Sequence, residues 1–177
     1  MDDAATNVGL LLLRLVLGFV LFAHATQKTF GWFSGPGLAG QTAVFERLGQ
    51  RPARLMVVVA AVCEASCAVL VTFGVLTPLG AAIGAGTMLV AGSSLTITSN
   101  RLWAAQGGGE YPYLLSSTLL ALGFLGPGGW SIDKAISAIW YDDSSWRLTA
   151  GLGVAILALV AAIPPVLATL RSQTGRS

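Results

Sequence analysis

The chain has 177 residues, 54% of them hydrophobic and only 10% charged, with a mean hydropathy of +0.74, whereas soluble domains carry roughly 25% charged residues. That composition excludes an ordinary soluble domain and reads as an integral membrane protein of one helical bundle. A net charge of +2, without a basic run interleaved with aromatics, excludes nucleic acid as a partner; one histidine and two cysteines cannot complete a common zinc site, so no metal site is expected, with haem on His24 a weakly supported alternative.

The first apolar stretch, Val8 to Lys28, is long enough to cross a bilayer, which takes about 20 apolar residues, yet it holds Arg14 inside and His24 and Lys28 at its far end. Burying an arginine at the centre of such a helix costs roughly 2.5–3.5 kcal/mol, so Arg14 needs a partner. The acid available in another apolar stretch is Glu64. If Leu55–Leu76 runs antiparallel to the first helix with ends matched, Arg14 lies about 18 Å from the Thr26 end and Glu64 about 14 Å from the Leu55 end. A buried Arg14–Glu64 ion pair joining helices 1 and 2 is therefore expected; the alternative is a polar pocket with Glu64 as a proton carrier. Ala23-His24-Ala25 looks like a signal-peptidase site, but Asp2, Asp3 and Arg14 oppose that reading. A retained helix is expected.

His24 and Lys28 are four residues apart and share a face, with Arg14 within roughly 80° of both. With Glu64 opposite, this face could hold a polar-headed, lipid-soluble molecule, a quinone or a lipid; alternatively His24 and Lys28 sit at headgroup level. After Lys28 come glycines, Pro36 and a short helical pattern with Leu38, Phe45 and Leu48 as apolar positions, expected to fold back on the bundle. Pro52 opens helix 2. Within it, Cys63 and Cys67 share a face four residues apart, a possible thiol pair, although a regular helix does not readily satisfy disulfide geometry and buried free cysteines commonly serve as small apolar side chains.

Thr77-Pro78 predicts an N-cap followed by proline at the first helical position, so helices 2 and 3 form a hairpin. Small residues at Gly80, Ala81, Gly84, Ala85 and Gly92 suit close helix approach and make helix 3 the expected packing centre, with Thr87, Ser93 and Ser94 bonding across helices as structural glue or back to their own carbonyls. Helix 4 runs from Tyr111 through Ser116–Thr118 to Leu125 and stops at Gly126-Pro127. A connection with Asp133, Lys134, Ile136, Ile139 and Asp142-Asp143 leads to a fifth span, Leu148–Leu170, in which Pro164-Pro165 should produce a kink. Trp32, Trp103, Trp130, Trp140 and Trp146 all fall outside the apolar centres, as an interfacial belt requires. Lys28, Arg47, Arg51, Arg54, Arg101, Arg171 and Arg176 lie on one side of a five-span arrangement, against Lys134 and Arg147 on the other. The N-terminus is therefore expected outside and the C-terminus in the cytoplasm.

The run RLVLGFVLFAHATQKTFGWF, the acid in CEASCAVLVTFGVLTPLGA, the GEYP before helix 4 and the closing GPGGWSID together resemble the DoxX family of bacterial membrane proteins over roughly residues 8–134. The resemblance implies an all-α membrane bundle: a four-helix core over 1–134, here followed by an interfacial connection at 135–147, an additional transmembrane helix at 148–170 and a polar tail at 171–177. It implies a multi-pass protein of the bacterial plasma membrane and a distant relation to the DoxD subunit of a thiosulfate:quinone oxidoreductase. Family members are linked to redox metabolism and oxidative stress, and one mycobacterial member is described as a membrane partner of superoxide dismutase and a sulfurtransferase. The expected role is the membrane component or scaffold of a redox assembly, with no intrinsic cofactor and with soluble redox enzymes or other membrane subunits as partners. The alternatives are a quinone-linked oxidoreductase subunit and, weakened by the lack of a symmetry-related second half, a small-solute transporter. No catalytic residue is identified.

Overall fold

The computed structural model describes residues 3–138 and 144–175. Among the described residues the chain forms seven α-helices, one 3₁₀ turn and no strand. Helix α1 (Ala4–Thr29) begins a turn before the apolar stretch because Asp3 caps it, accepting from the Thr6 N–H and hydroxyl; these bonds, the hydroxyl's first, hold the Asp3 carboxyl below the ordinary carboxylate range. Helix α2 (Gly37–Arg47) is short and has no fully buried residue. It lies against the first turns of α3 (Ala53–Phe73) and the end of α1.

α4 (Thr77–Ser99) is the packing centre, set against α3, α5 (Glu110–Leu125) and α7 (Ser144–Thr174), while α1 packs on α3. The 3₁₀ turn (Ala104–Gln106) precedes α5, and the single-turn α6 (Ile132–Ala135) precedes α7. The core is built from Leu17 and Leu21 of α1, Cys67 and Val71 of α3, Ala85 and Met88 of α4, and Leu119 and Leu122 of α5. Close approach explains the small residues of α4. A Cβ at Gly84 would collide with the Cys67 sulfur and with Leu119, and one at Gly86 would lie 3.4 Å from the backbone of Ala158 in α7. Of the three hydroxyls expected to bond, Ser94 meets Thr169 of α7 at 3.1 Å and Ser93 accepts from the Tyr113 hydroxyl of α5 at 3.3 Å, whereas Thr87 turns back to the Ile83 carbonyl of its own helix; Ser116 of α5 adds a further crossing bond to the Ala85 carbonyl at 2.9 Å.

Four helices, α1, α3, α4 and α7, are long and apolar enough to cross a membrane. α5 has 16 residues, about 24 Å at the helical rise, less than the roughly 30 Å hydrocarbon core. Gly107–Gly109 before it and Gly126-Pro127 after it keep it short. α7 remains helical through Pro164 and Pro165. Trp32, Trp103, Trp130 and Trp146 are all about half exposed. Trp140, Ile139, Asp142, Asp143 and Arg176 lie outside the described residues.

The turn between α3 and α4 departs from the expected capping. Thr77 is the first residue of α4 rather than its cap, and its hydroxyl has no partner. The cap comes from Asp133, distant in sequence: its carboxylate accepts the Leu76 N–H at 2.8 Å and the Thr77 N–H at 2.9 Å, and its own N–H donates to the Gly74 carbonyl at 2.8 Å. Leu76 sits at φ 47°, a left-handed conformation that costs a branched side chain energy; the Asp133 clamp compensates for it.

Candidate functional site

Two polar clusters lie inside the bundle, one near each end. At the end where α1 starts and α3 finishes, Arg14 is 1% exposed. Its guanidinium donates to the carbonyls of Trp130 and Thr72 and lies against Gly74, where a Cβ would overlap it. The charge of fully buried Asp133 acts on it. Asn7, also buried, accepts from the Gly129 N–H. Arg14, Asn7 and Asp133 thus fasten the 126–135 segment across the ends of α1, α3 and α4.

This corrects the expected Arg14–Glu64 pair. Glu64, 1% exposed, is paired with Lys28, whose Nζ donates to both carboxylate oxygens at 2.6 and 2.8 Å. Thr72, which Arg14 reaches, is eight residues from Glu64, about 12 Å along the helix. The matched-ends assumption fails because α1 meets α3 farther along: Gly18 lies against Ala68 and Thr72, and Arg14 lies level with Thr72 and Gly74. The first turns of α3 therefore run past the end of α1, and the 30–52 connection places α2 against both helices. Lys28 therefore reaches back into the bundle instead of out to the headgroups.

At the other end, the Lys28–Glu64 pair forms one wall of a cavity of about 500 Å³, within the 300–1,000 Å³ range of small-molecule sites. α1 contributes His24 and Lys28; α2 contributes Gln41 and Phe45; α3 and α4 contribute faces at helical spacing, including Val59, Cys63, Ile83 and Thr87; α5 contributes Tyr111. The His24 and Tyr111 rings meet edge to face with centroids 5.9 Å apart, a favourable aromatic geometry that orients both toward the chamber. Thr87 spends its hydroxyl on the Ile83 carbonyl at 2.8 Å. Gln50 gives its Nε2 to the Pro165 carbonyl at 2.8 Å and the Thr169 hydroxyl at 2.9 Å, and Ser94 also bonds Thr169; what remains is an apolar chamber lined by an ammonium, a carboxylate, an imidazole, a phenol and the Gln41 amide. Such a set can hydrogen-bond a carbonyl or hydroxyl of a neutral, flat headgroup.

Of the expected site residues, His24, Lys28, Glu64 and Cys63 come together in this cavity and Arg14 does not. The cysteines are both free and have different surroundings: Cys63 lines the cavity, while Cys67 is fully buried in the core against Gly84. Sequence reasoning missed Tyr111, Gln41 and the Asp133 clamp. Tyr111 carried a usable signal, since it stands in the GEYP segment at the start of a helix at the same end as Lys28. Asp133 had none, because its role depends on a turn closed by distant residues.

The helices that carry most of this cavity fall in the part of the chain with a recognisable relative. The DoxX family profile matches residues 9–98, just over half of the chain. The chain belongs to the DoxX family. No curated protein and no solved structure matches it. The match in this DoxX protein covers nearly all of α1 through α4, with Arg14, His24, Lys28, Cys63, Glu64 and Cys67; Tyr111 and Asp133 lie beyond it. It carries the fold and membrane character, a multi-pass helical protein.

Proposed function

We propose that this DoxX protein is the membrane component of a redox assembly and holds a quinone-type molecule, the redox step itself falling to a partner protein. The observation that carries the reading is the cavity: largely apolar, with Lys28, Glu64, His24 and Tyr111 grouped at one end. A quinone carbonyl is an acceptor that Lys28, with a third N–H beyond the two given to Glu64, and the Tyr111 hydroxyl can both serve. The small-solute transporter is less well supported, because the Arg14, Asn7 and Asp133 cluster closes the bundle beyond the cavity.

Binding by the purified protein in lipid nanodiscs tests this. A tailless quinone such as menadione should bind saturably. His24→Ala and Tyr111→Phe should each weaken binding by about tenfold, the scale of a lost polar contact in a built site. The double change Cys63→Ser with Cys67→Ser should leave binding nearly intact. Absence of saturable binding to the unaltered protein overturns the reading.

The positions of the basic residues support an orientation as well. Lys28, Arg47, Arg51, Arg54, Arg101 and Arg171 gather where α1, α4 and α7 end and α3 begins, while Lys134 and Arg147 belong to the opposite end. Basic residues near span ends are retained in the cytoplasm, so the cavity end faces the cytoplasm, the N-terminus lies outside and the C-terminus inside. A C-terminal fusion should give fluorescence as a cytoplasmic green fluorescent protein and no activity as alkaline phosphatase; the reverse result rejects this orientation.

A further inference from the structure

The cavity does not end at its polar groups. From the Glu64 level it continues between α3 and α7 over a floor of α4, past Val59 on one side, Ala161 and Pro165 on the other, and Ile83 and Gly86 beneath. α3 and α7 both pack on α4 and make no extensive contact with each other. Val59 is 45% exposed and Ala161 is exposed as well, although both line the cavity. The chamber is therefore open sideways at membrane depth. Its other approaches are covered: α2 lies over the cytoplasmic end through Gln41, Val44, Phe45 and Leu48, and the core of α1, α3, α4 and α5 fills the space beyond.

We infer that the slot between α3 and α7 is a lateral doorway from the bilayer and the seat of the ligand's hydrocarbon tail, so that the ligand is a tailed, isoprenoid-type quinone whose head reaches the Lys28–Glu64 end. This rests on the quinone reading and adds the tail, the route and the residues that set them. The charged lining residues, Lys28 and Glu64, are at the head end. The polar side chains along the slot are committed to the protein, Gln50 to the Pro165 carbonyl and the Thr169 hydroxyl, Thr87 to the Ile83 carbonyl and Ser94 to Thr169, so its rim at Val59 and Ala161 presents hydrocarbon to hydrocarbon, as lipid-facing surface requires. Small residues make its width: Gly86 is buried beneath Ala158, and Ala161 carries one methyl at the rim.

The test compares a tailed quinone, ubiquinone-2, with tailless menadione in nanodiscs, using the unaltered protein, Ala161→Trp, Val59→Trp and the lipid-facing control Leu159→Trp. Circular dichroism and gel filtration check each fold. Both rim variants should weaken ubiquinone-2 by about tenfold more than they weaken menadione, a steric effect of the usual size for a filled pocket, with the Leu159→Trp control affecting neither. Two separate rim positions keep the test decisive if one variant does not fold. If menadione binds but neither rim variant affects ubiquinone-2, the doorway is wrong and the headgroup reading stands. If the unaltered protein binds neither quinone, the headgroup reading falls, and the doorway with it. If native mass spectrometry finds a phospholipid in the slot that ubiquinone-2 does not displace, the slot is a lipid seat and the inference is overturned.

Discussion

Lys28→Met should destabilise the bundle by about 3–5 kcal/mol, the consequence of leaving a buried charge without its partner. Glu64 is 1% exposed and both its oxygens are taken by the Lys28 ammonium, so the carboxylate left behind loses both of those bonds and its counter-charge. Glu64→Met should cost a similar amount, and the double change Lys28→Met with Glu64→Met much less, because a fully apolar replacement removes both desolvation penalties. Unfolding in mixed dodecyl sulfate micelles, followed by circular dichroism, gives the cycle. Arg14→Met combined with Glu64→Met should instead be additive within about 0.5 kcal/mol, as expected of separate sites. Strong coupling between Arg14 and Glu64, with none between Lys28 and Glu64, would restore the pairing expected from matched helix ends.

Asp133→Ala is expected to cost about 3–5 kcal/mol through a different route. It leaves the Leu76 and Thr77 N–H groups without acceptors, each costing about 1–3 kcal/mol when buried, and removes the acid whose charge acts on buried Arg14. The left-handed turn at Leu76 also loses the clamp that holds it. Asp133→Asn should recover roughly half of the loss, since an amide keeps one acceptor oxygen but points a donor at the second N–H. The same micelle assay reads both, and amide exchange at Leu76 and Thr77 should rise in parallel. An alanine variant as stable as the unaltered protein would show that the α3–α4 turn closes without its distant cap.

The sequence alone determined the parts of this protein that depend on composition along a segment. Apolar runs long enough to cross a bilayer located α1, α3, α4 and α7; Thr77-Pro78 located the hairpin between α3 and α4; the small residues of α4 marked the helix that three others approach. The asymmetric distribution of Lys and Arg separated the two ends of the bundle in the same way. Each of these follows from the hydrophobicity, size or charge of residues close together in the chain, and needs no knowledge of the partner.

Partner identity was decided only by tertiary structure. Arg14, Lys28 and Glu64 were all visible as polar groups in apolar surroundings, but which cation meets Glu64 depends on how far α3 slides along α1, a register fixed where Gly18 lets α1 close on Ala68 and Thr72. A shift of eight residues, about 12 Å, exchanges one partner for the other without changing the hydropathy of either helix. The cap on α4 was hidden for the same reason, because Asp133 acts on a turn 56 residues earlier and local sequence offered Thr77 for that task. The cavity was equally beyond a linear reading: its polar end assembles from α1, α2, α3 and α5, and its lateral opening exists because α3 and α7 lean on α4 without closing on each other. Hydropathy fixes which residues leave water; packing decides which of them meet.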